Sequence, residues 1–399
     1  MIDIKHKEDC CGCSACVQAC PKSCISFNED EEGFCYLKVN LVDCINCGLC
    51  EKVCPVINQD SPREPLHIYA SKNLDEDIRL KSSSGGVFTL LAEKVIEEGG
   101  VVFGAQFNKQ WEVIHSYRET KEGLVAFRGS KYAQSRIGSS YTDAAAFLKA
   151  GRKVLFSGTP CHIAGLKRFL RKNYDNLLTV DIVCHSVPSP KIWSLYLDAF
   201  ISIKLRTKIK DSNLSIEKIS FREKKPSWKN YSFSISGEFN GEKFKLRELQ
   251  GRNLYMRGFL SDLYTRPSCY SCPTKESKSR RDITLSDFWG IENILPAFDD
   301  EAGVSLVIIN SEVGATAYHA LNAKSVQLDK NAIQHSYYHI AKAHVKRKFF
   351  FATFNSPDAS LLPLIRLLTS ASLKSRIKHL IILIAKEIGL CNRKKLKTR

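Results

Sequence analysis

The sequence contains no run of about 18 apolar residues, the length that a membrane-spanning helix needs, so it predicts no transmembrane segment. It also lacks the basic segment, apolar stretch and cleavage site of a secretory signal, so we expect a cytoplasmic protein. The composition is not that of a disordered chain, because 44% of the residues are hydrophobic. At 399 residues the chain is longer than a typical domain, which predicts two or more folded units.

Cysteine and positive charge, by contrast, are abundant, with 16 cysteines and a formal net charge of +17 at pH 7. In a protein that is not exported, metal or redox chemistry explains many cysteines better than a disulfide framework does. The charge is unevenly distributed, since residues 1–60, which we call the head, hold five Lys/Arg and ten Asp/Glu. An acidic head therefore precedes a strongly basic body.

The head contains two copies of the spacing Cys-x2-Cys-x2-Cys-x3-Cys-Pro, at residues 10–21 and 44–55. This spacing is typical of bacterial ferredoxins with two 4Fe-4S clusters, in which three thiolates of one copy hold a cluster and the fourth ligates the other cluster. A pair of zinc sites is the alternative, although two complete copies favour clusters. We predict a first cluster site of Cys10, Cys13, Cys16 and Cys54, and a second cluster site of Cys44, Cys47, Cys50 and Cys20. The other head cysteines, Cys11, Cys24 and Cys35, are predicted to be packed thiols.

The body begins after a proline-rich linker at residues 55–67 and then alternates predicted strands with predicted helices. A helix is expected at residues 86–98 and a strand at 101–107, followed by two strand-turn-helix units around SGTPC and CHSVPSP. This alternation predicts a parallel or mixed sheet whose ligands gather beyond the carboxyl ends of its strands. From residue 216 the pattern becomes antiparallel. The predicted fold class is α+β, with a small two-cluster ferredoxin domain followed by an α/β body that has a mixed sheet and an antiparallel portion.

Four cysteines of the body, Cys161, Cys184, Cys269 and Cys272, form a candidate third site, which we call the body site. Two of them stand at predicted strand ends and two form a Cys-x2-Cys motif. Four thiolates from separate loops can hold one 4Fe-4S cluster. Two alternatives stay open on spacing alone: a zinc site that uses His162 or His185, and buried thiols beside a redox-active Cys-x2-Cys.

The segment KSSSGG at residues 81–86 precedes the first predicted body helix. Free backbone amides and the helix dipole favour anions at such a place, so the segment is a candidate phosphate cradle. A serine-rich helix cap is the plainer interpretation.

Five motifs of the body, taken in order, resemble the beta subunit of coenzyme F420 hydrogenases and dehydrogenases. The resemblance spans about residues 66–310 and follows an N-terminal ferredoxin, as in many members. It implies a body that binds FAD and a nearby 4Fe-4S cluster and exchanges a hydride between the flavin and an organic substrate. The motifs are SSSGGVFTLLAEKV, FRGSKYAQS, VLFSGTPCHIAGLKRFL, VDIVCHSVPSPKIW and CYSCPTKE with DITLSDFWGI.

The resemblance also implies roles for particular residues. The four cysteines of the body site stand where the cluster ligands of the family would be. His185 is a candidate proton donor near the flavin, or else makes a structural hydrogen bond, and Lys131 is a candidate to steady an anionic flavin or substrate, or else lies on the surface. The motifs that line the flavin pocket contain Ser83, Ser84, Gly85, Gly86, Lys131, Tyr132, Gln134 and Thr159.

The sequence departs from the family pattern in two places. Ser186 stands where members commonly have glycine, which alters the turn beside Cys184. Residues 208–250 are the least similar to the family and are candidates to shape the substrate pocket. The family name therefore does not by itself identify the substrate.

The last segment of the chain is basic, since residues 371–399 hold nine Lys/Arg and one Glu. A docking helix with a solvated charged end is one interpretation, and an interfacial helix at the inner face of an anionic membrane is another. Nucleic-acid binding is the weakest of the three, because positive charge alone gives nonspecific attraction.

Together these features predict a cytoplasmic iron-sulfur flavoprotein oxidoreductase that passes electrons between 4Fe-4S clusters and FAD. Its partners would be a small-molecule hydride donor or acceptor and an electron-transfer protein. The alternatives are a non-catalytic electron-transfer subunit of a partner reductase and a cluster-containing interaction protein. The predicted domains are the ferredoxin domain at 1–60, the N-terminal and C-terminal parts of the beta-subunit-like body at 66–148 and 149–345, and the basic, partly amphipathic helical tail at 346–399.

Overall fold

The computed structural model describes residues 1–275, 278–329, 340–356 and 360–370. The strands are β1 (Ile25–Glu29), β2 (Cys35–Val39), β3 (His67–Asn73), β4 (Val101–Phe107), β5 (Val113–Arg118), β6 (Val154–Gly158), β7 (Leu177–Ile182), β8 (Leu214–Glu223), β9 (Ser232–Phe239), β10 (Glu242–Leu249), β11 (Ile283–Asp287), β12 (Ser305–Ile309) and β13 (Ala323–Leu328). The helices are α1 (Ala15–Ala19), α2 (Leu49–Lys52), α3 (Glu76–Lys81), α4 (Val87–Glu97), α5 (Ser140–Lys149), α6 (Pro160–Leu170), α7 (Pro190–Leu205), α8 (Leu254–Leu260), α9 (Ile291–Ile294), α10 (Glu312–His319), α11 (Arg347–Phe354) and α12 (Leu361–Thr369). Short 3-10 helices cover Lys7–Asp9, Glu122–Phe127, Pro267–Ser271 and Pro296–Phe298.

The head is built from two similar halves around an antiparallel hairpin of β1 and β2. The helices α1 and α2 each contain the third cysteine of a motif copy. Each helix is entered through a residue in the left-handed region, Ser14 at φ 67° and Gly48 at φ 69°. The repeated spacing therefore produces a repeated backbone conformation.

The body is organised around an eight-stranded mixed sheet with the order β13-β3-β12-β11-β7-β6-β4-β5. The four central strands, β4, β6, β7 and β11, run parallel to one another, whereas the flanking strands are antiparallel to their neighbours. The strands β6 and β7 are buried along most of their length, as expected of strands that helices cover on both faces. The predicted mixed sheet and α+β class are confirmed.

A second, three-stranded antiparallel sheet has the order β10-β9-β8. It packs with α7, α8, α11 and α12 around an aromatic core that includes Trp193, Phe221, Phe233, Tyr255 and Phe350. The antiparallel portion predicted from residue 216 is thus a separate layer beside the main sheet. Two helices of the predicted tail, α11 and α12, belong to this core, whereas residues 371–399 lie outside the described residues.

The head packs directly onto the body. Its helix α1 and several of its cysteines share a hydrophobic core with α5, α6 and residues of β4 and β6. One close approach is at Gly165 of α6, where an added Cβ would lie 3.0 Å from the Sγ of Cys13. None of the helices in the described parts of the chain is both long and apolar enough to cross a membrane.

Candidate functional site

The four thiols of the predicted first cluster site line one cavity. All four cysteines are buried, and apolar side chains such as Ile4, Phe27 and Leu37 complete the wall. Burial raises the pKa of the Cys16 thiol to about 12 and also raises the pKa of Cys54. Thiolates in such surroundings need a compensating positive charge, and iron ions supply it in a cluster.

The four thiols of the predicted second cluster site line another cavity of the head. Cys20 comes to this cavity from the first motif copy, just as Cys54 crosses from the second copy to the other cavity. The backbone N–H of Ile2 donates to the Sγ of Cys50 at 3.4 Å. This site is nearer to solvent than the first, because Cys47 is exposed. The structure therefore assembles the two thiol sets that the spacing predicts, while their roles as ligands stay a prediction.

The body site is assembled at the carboxyl edge of the parallel strands. Cys161 follows β6 in the first turn of α6, Cys184 follows β7, and the remaining two cysteines come from the segment 267–272. The hydroxyl of Thr159 lies 3.1 Å from the Sγ of Cys161. The four thiols are close enough for their charges to interact, and burial raises the pKa of Cys184 to about 12. The ammonium group of Lys275 donates to the carbonyl oxygen of Cys184.

The two histidines of the zinc alternative have other environments. His162 is 1% exposed, and neither of its ring nitrogens has a hydrogen-bond partner among the described residues. Its ring meets that of His115 edge-on, with 5.0 Å between the ring centroids. The Nε2 of His185 lies 3.0 Å from a carboxylate oxygen of Asp262. Within the described ranges no three His, Cys, Asp or Glu side chains are grouped so as to hold a single metal ion.

Cys11 connects the head to the body site. Its buried thiol packs in one cluster with the thiols of Cys13 and Cys161, and its interaction with Cys161 raises the pKa of Cys161 well above the usual value. The first cluster site and the body site are therefore neighbours. The motif spacing predicts Cys11 only as a packed thiol, and no feature of that spacing marks it for this position.

The serine-glycine segment before α4 meets the loop that carries Lys131. The hydroxyl of Ser83 lies 2.9 Å from that of Ser130 and accepts the backbone N–H of Ser130 at 2.8 Å. The hydroxyl of Ser84 donates to the carbonyl oxygen of Val304 at 2.7 Å. The serine-serine contact brings two predicted flavin-binding motifs together.

The glycines of this segment have structural tasks. Gly85 lies against the sheet, where an added Cβ would be 2.4 Å from the carbonyl oxygen of Ser71. Gly86 precedes α4 at φ 82°, in the region that favours glycine.

Lys131 and Tyr132 directly follow Ser130, which contacts the serine-glycine segment. The ammonium group of Lys131 donates to the carbonyl oxygens of Arg128 and Gly129 at 3.2 Å, and burial lowers its pKa to about 7. The ring of Tyr132 packs on Phe259, which also packs on the ring of His185. The two candidate catalytic residues are thus joined by a short chain of contacts.

Gln134 faces the head in the structure. Its side-chain amide donates to the carbonyl oxygen of Cys11 at 3.1 Å, and its oxygen accepts from Arg266 at 2.9 Å. Gln134 therefore belongs to the contact between head and body, apart from the other residues of the predicted flavin set.

Sequence reasoning missed two cations of this region. Arg266 is buried between the head and the body site. Lys224, in the segment least similar to the family, donates to three carbonyl oxygens, among them that of Ser84 at 2.6 Å. Burial lowers its pKa to about 7. Arg266 stands three residues before Cys269, which was the only available signal.

Comparison with known proteins gives three family matches. Residues 151–333 match the C-terminal model of the coenzyme F420 hydrogenase/dehydrogenase beta subunit, and residues 68–140 match its N-terminal model. Residues 9–58 match the 4Fe-4S dicluster domain. The head is thus a 4Fe-4S dicluster domain, and the two beta-subunit models together cover more than half of the chain.

Individual relatives agree with these matches. The chain is 24% identical over 198 residues to a component of the F420H2 dehydrogenase of Methanosarcina mazei, covering 46% of this chain and 55% of that protein. It is 26% identical over 198 residues to an uncharacterized protein of Methanocaldococcus jannaschii, covering 42% of this chain and 54% of the relative. The chain therefore spans about half the length of these relatives.

The head has relatives of its own. It is 38% identical over 73 residues to a 7Fe ferredoxin of Hydrogenibacillus schlegelii, covering 17% of this chain and 87% of that protein. Among solved structures, a chain of the F420-reducing [NiFe] hydrogenase complex from Methanosarcina barkeri matches with a TM-score of 0.43 at 16% identity, covering 80% of this chain and 93% of that one.

Proposed function

The chain belongs to the family of coenzyme F420 hydrogenase/dehydrogenase beta subunits, and from that premise we propose that it is an iron-sulfur flavoprotein oxidoreductase. It would pass electrons between the two head clusters, a third cluster in the body site and FAD. The observation that carries this proposal is the packing of Cys11 with both Cys13 and Cys161 in one buried cluster, which makes the first cluster site and the body site neighbours. A ferredoxin domain packed in this way is placed to deliver electrons to the body, or to receive them from it.

The third cluster would be held by the four cysteines of the body site. Their thiols come from three separate segments and are close enough for their charges to interact. Half-buried thiols with raised pKa values fit an iron centre, whose positive charge stabilises the thiolate form.

FAD would bind beside the serine-glycine segment and the loop of Lys131. When bound, FAD supplies the exchange between a two-electron hydride step and one-electron steps. Lys131 would stabilise negative charge on the flavin or the substrate. His185, whose Nε2 lies 3.0 Å from Asp262 and whose side chain is 37% exposed, would donate or accept a proton.

The small-molecule partner would be an organic hydride donor or acceptor. Coenzyme F420 is the first compound to test, because it appears in the name of the family and in that of one relative. It is a candidate only, since a shared family does not determine the substrate.

The electron-transfer partner would dock at the second cluster site. Cys47 is exposed there, and the large apolar side chains Leu41, Val42 and Ile45 are also exposed near it in the chain. A redox protein that covers this face would bring its own centre close to a cluster ligand. Contact of residues 371–399 with a membrane or with nucleic acid, and the cytoplasmic location, stay predictions.

Anaerobic purification followed by iron, sulfide and flavin analysis of the same sample tests the proposal. We expect about twelve irons and one FAD per chain, since each cluster holds four irons. The Cys269→Ser variant should lose about four of them, and the matched Cys35→Ser variant, in which a head cysteine outside both predicted sites is changed, should lose none. About eight irons without flavin would contradict the proposal and favour a non-catalytic electron-transfer subunit.

A further inference from the structure

Arg266 is a fully buried cation at the contact between the head and the body. It is 1% exposed, and all three nitrogens of its guanidinium group donate hydrogen bonds. The Nε donates to the carbonyl oxygen of Cys10 at 2.9 Å, and one terminal nitrogen donates to the carbonyl oxygen of Cys35 at 3.0 Å. The other donates to Gln134 at 2.9 Å. All three of these acceptors are neutral.

The positive charge of Arg266 has no carboxylate partner among the hydrogen bonds described for it. Its guanidinium carbon lies 4.4 Å from the ring centroid of Tyr36. The ionisable groups that interact with its charge include the thiols of Cys10, Cys11 and Cys269 and the phenol of Tyr36. A buried charge is costly unless an opposite charge lies close to it. Four thiolates make a 4Fe-4S cluster anionic, so clusters at the two neighbouring sites would supply that opposite charge.

Arg266 is attached to both sites through its backbone and its side chain. Its carbonyl oxygen accepts the backbone N–H of Cys269 at 3.0 Å, so it lies on the segment that carries the body site. The side chain extends beneath the loop of the first cluster site, where an added Cβ at Gly12 would lie 3.1 Å from the guanidinium carbon. The loop therefore passes directly over the cation.

We propose that Arg266 sets the reduction potentials of the first head cluster and the body cluster, and positions the head so that electrons pass between those two sites. The inference rests on the proposed function. A fixed positive charge stabilises the reduced form of a cluster, because reduction adds negative charge. Arg266 would therefore raise both potentials relative to that of the second head cluster.

A second arginine provides a matched control. Arg347 also joins the body to the head, through an ion pair with the carboxylate of Glu32 that includes an N–O distance of 3.0 Å. It also donates to the carbonyl oxygen of Thr265 at 3.0 Å. The charge of Arg347 is balanced by that of Glu32. Its loss weakens the same contact between head and body without removing a charge from the cluster sites.

The test is a mediated redox titration of the full chain with its clusters, monitored by electron paramagnetic resonance. The three couples are assigned with Cys47→Ser and Cys269→Ser, each of which removes one cluster. In Arg266→Met we expect the reduction equilibrium of the first head cluster and of the body cluster to become about tenfold less favourable, which is about 59 mV for a one-electron couple. The second head cluster should not change. Arg266→Lys should keep the potentials of all three clusters close to those of the wild type, and Arg347→Met should show no shift.

Equal shifts of all three couples, or unchanged couples in Arg266→Met with full iron content, would overturn the inference. If Arg266→Met and Arg266→Gln both lose iron while Arg266→Lys keeps it, the need for the charge is supported. If Arg266→Lys loses its iron as well, the inference fails. Wild-type protein with only two clusters would instead contradict the proposed function, so the two failures are distinguishable.

Discussion

Replacement of Gly165 by alanine should weaken the contact between the head and the body. Gly165 lies in the interior of α6, where alanine normally stabilises a helix relative to glycine by about 1 kcal/mol. Here the added Cβ would lie 2.8 Å from the hydroxyl of Tyr141 and 3.0 Å from both the Cβ and the Sγ of Cys13. Tyr141 is fully buried and donates to the carbonyl oxygen of His162 at 2.8 Å, so it has little room to move. Overpacking of this kind costs about 1–3 kcal/mol.

We therefore expect Gly165→Ala to lower the free energy of opening the head from the body by roughly 1–2 kcal/mol, the reverse of the helix preference. The assay is the rate at which an iron chelator removes iron under anaerobic conditions. If local opening of the head limits iron removal, the rate of iron removal should rise roughly 5–30-fold. Gly251→Ala is the matched control, because no atom lies within 4 Å of an added Cβ there.

A double variant isolates the contact further. Tyr141→Phe removes the hydroxyl that the new methyl group would meet, so the double variant should be less destabilised than the sum of the two single variants. If Gly165→Ala releases iron no faster than the wild type and the Gly251 control, the close packing of the head on α6 is refuted.

Three further predictions concern Cys11, Lys131 and Arg347. Cys11→Ala should keep its full iron content but slow electron transfer between the head and the flavin, measured by stopped-flow absorbance; an unchanged rate would contradict its place in the path. Burial lowers the pKa of the Lys131 amine to about 7, and a bound anionic flavin should favour the protonated form of that amine. FAD affinity should therefore be highest below about pH 7 and fall as the pH rises through and above that value, whereas Lys131→Met should show a flat fluorescence titration. Arg347→Met leaves the carboxylate of Glu32 buried and unpaired, which should destabilise head docking by roughly 3 kcal/mol. Limited proteolysis in residues 55–67 should then become faster, and equal rates would show that the ion pair contributes little.

The predictions that concern a single segment follow from the spacing of residues within that segment. The two motif copies determine which thiols lie in which cavity, because three cysteines within one short loop cannot separate and the fourth follows on the next turn. The strand predicted at 101–107 coincides with β4, since a continuous apolar run between a Gly-Gly stop and a polar turn is typical of a buried strand. The parallel arrangement of β6 and β7 then brings Cys161 and Cys184 to one edge of the sheet.

Only the tertiary structure decided how the head and the body meet. Arg266 contacts a residue 256 positions away in the chain, and Arg347 contacts one 315 positions away. No periodicity or spacing relates such partners, because their proximity depends on how two folded surfaces pack. For the same reason Gln134, which lies in a motif of the predicted flavin pocket, uses its side chain on the head instead. The sequence by itself predicted which cysteines form each site, and the packing of the head on α6 decided that two of those sites are neighbours, with the buried cation Arg266 beside them.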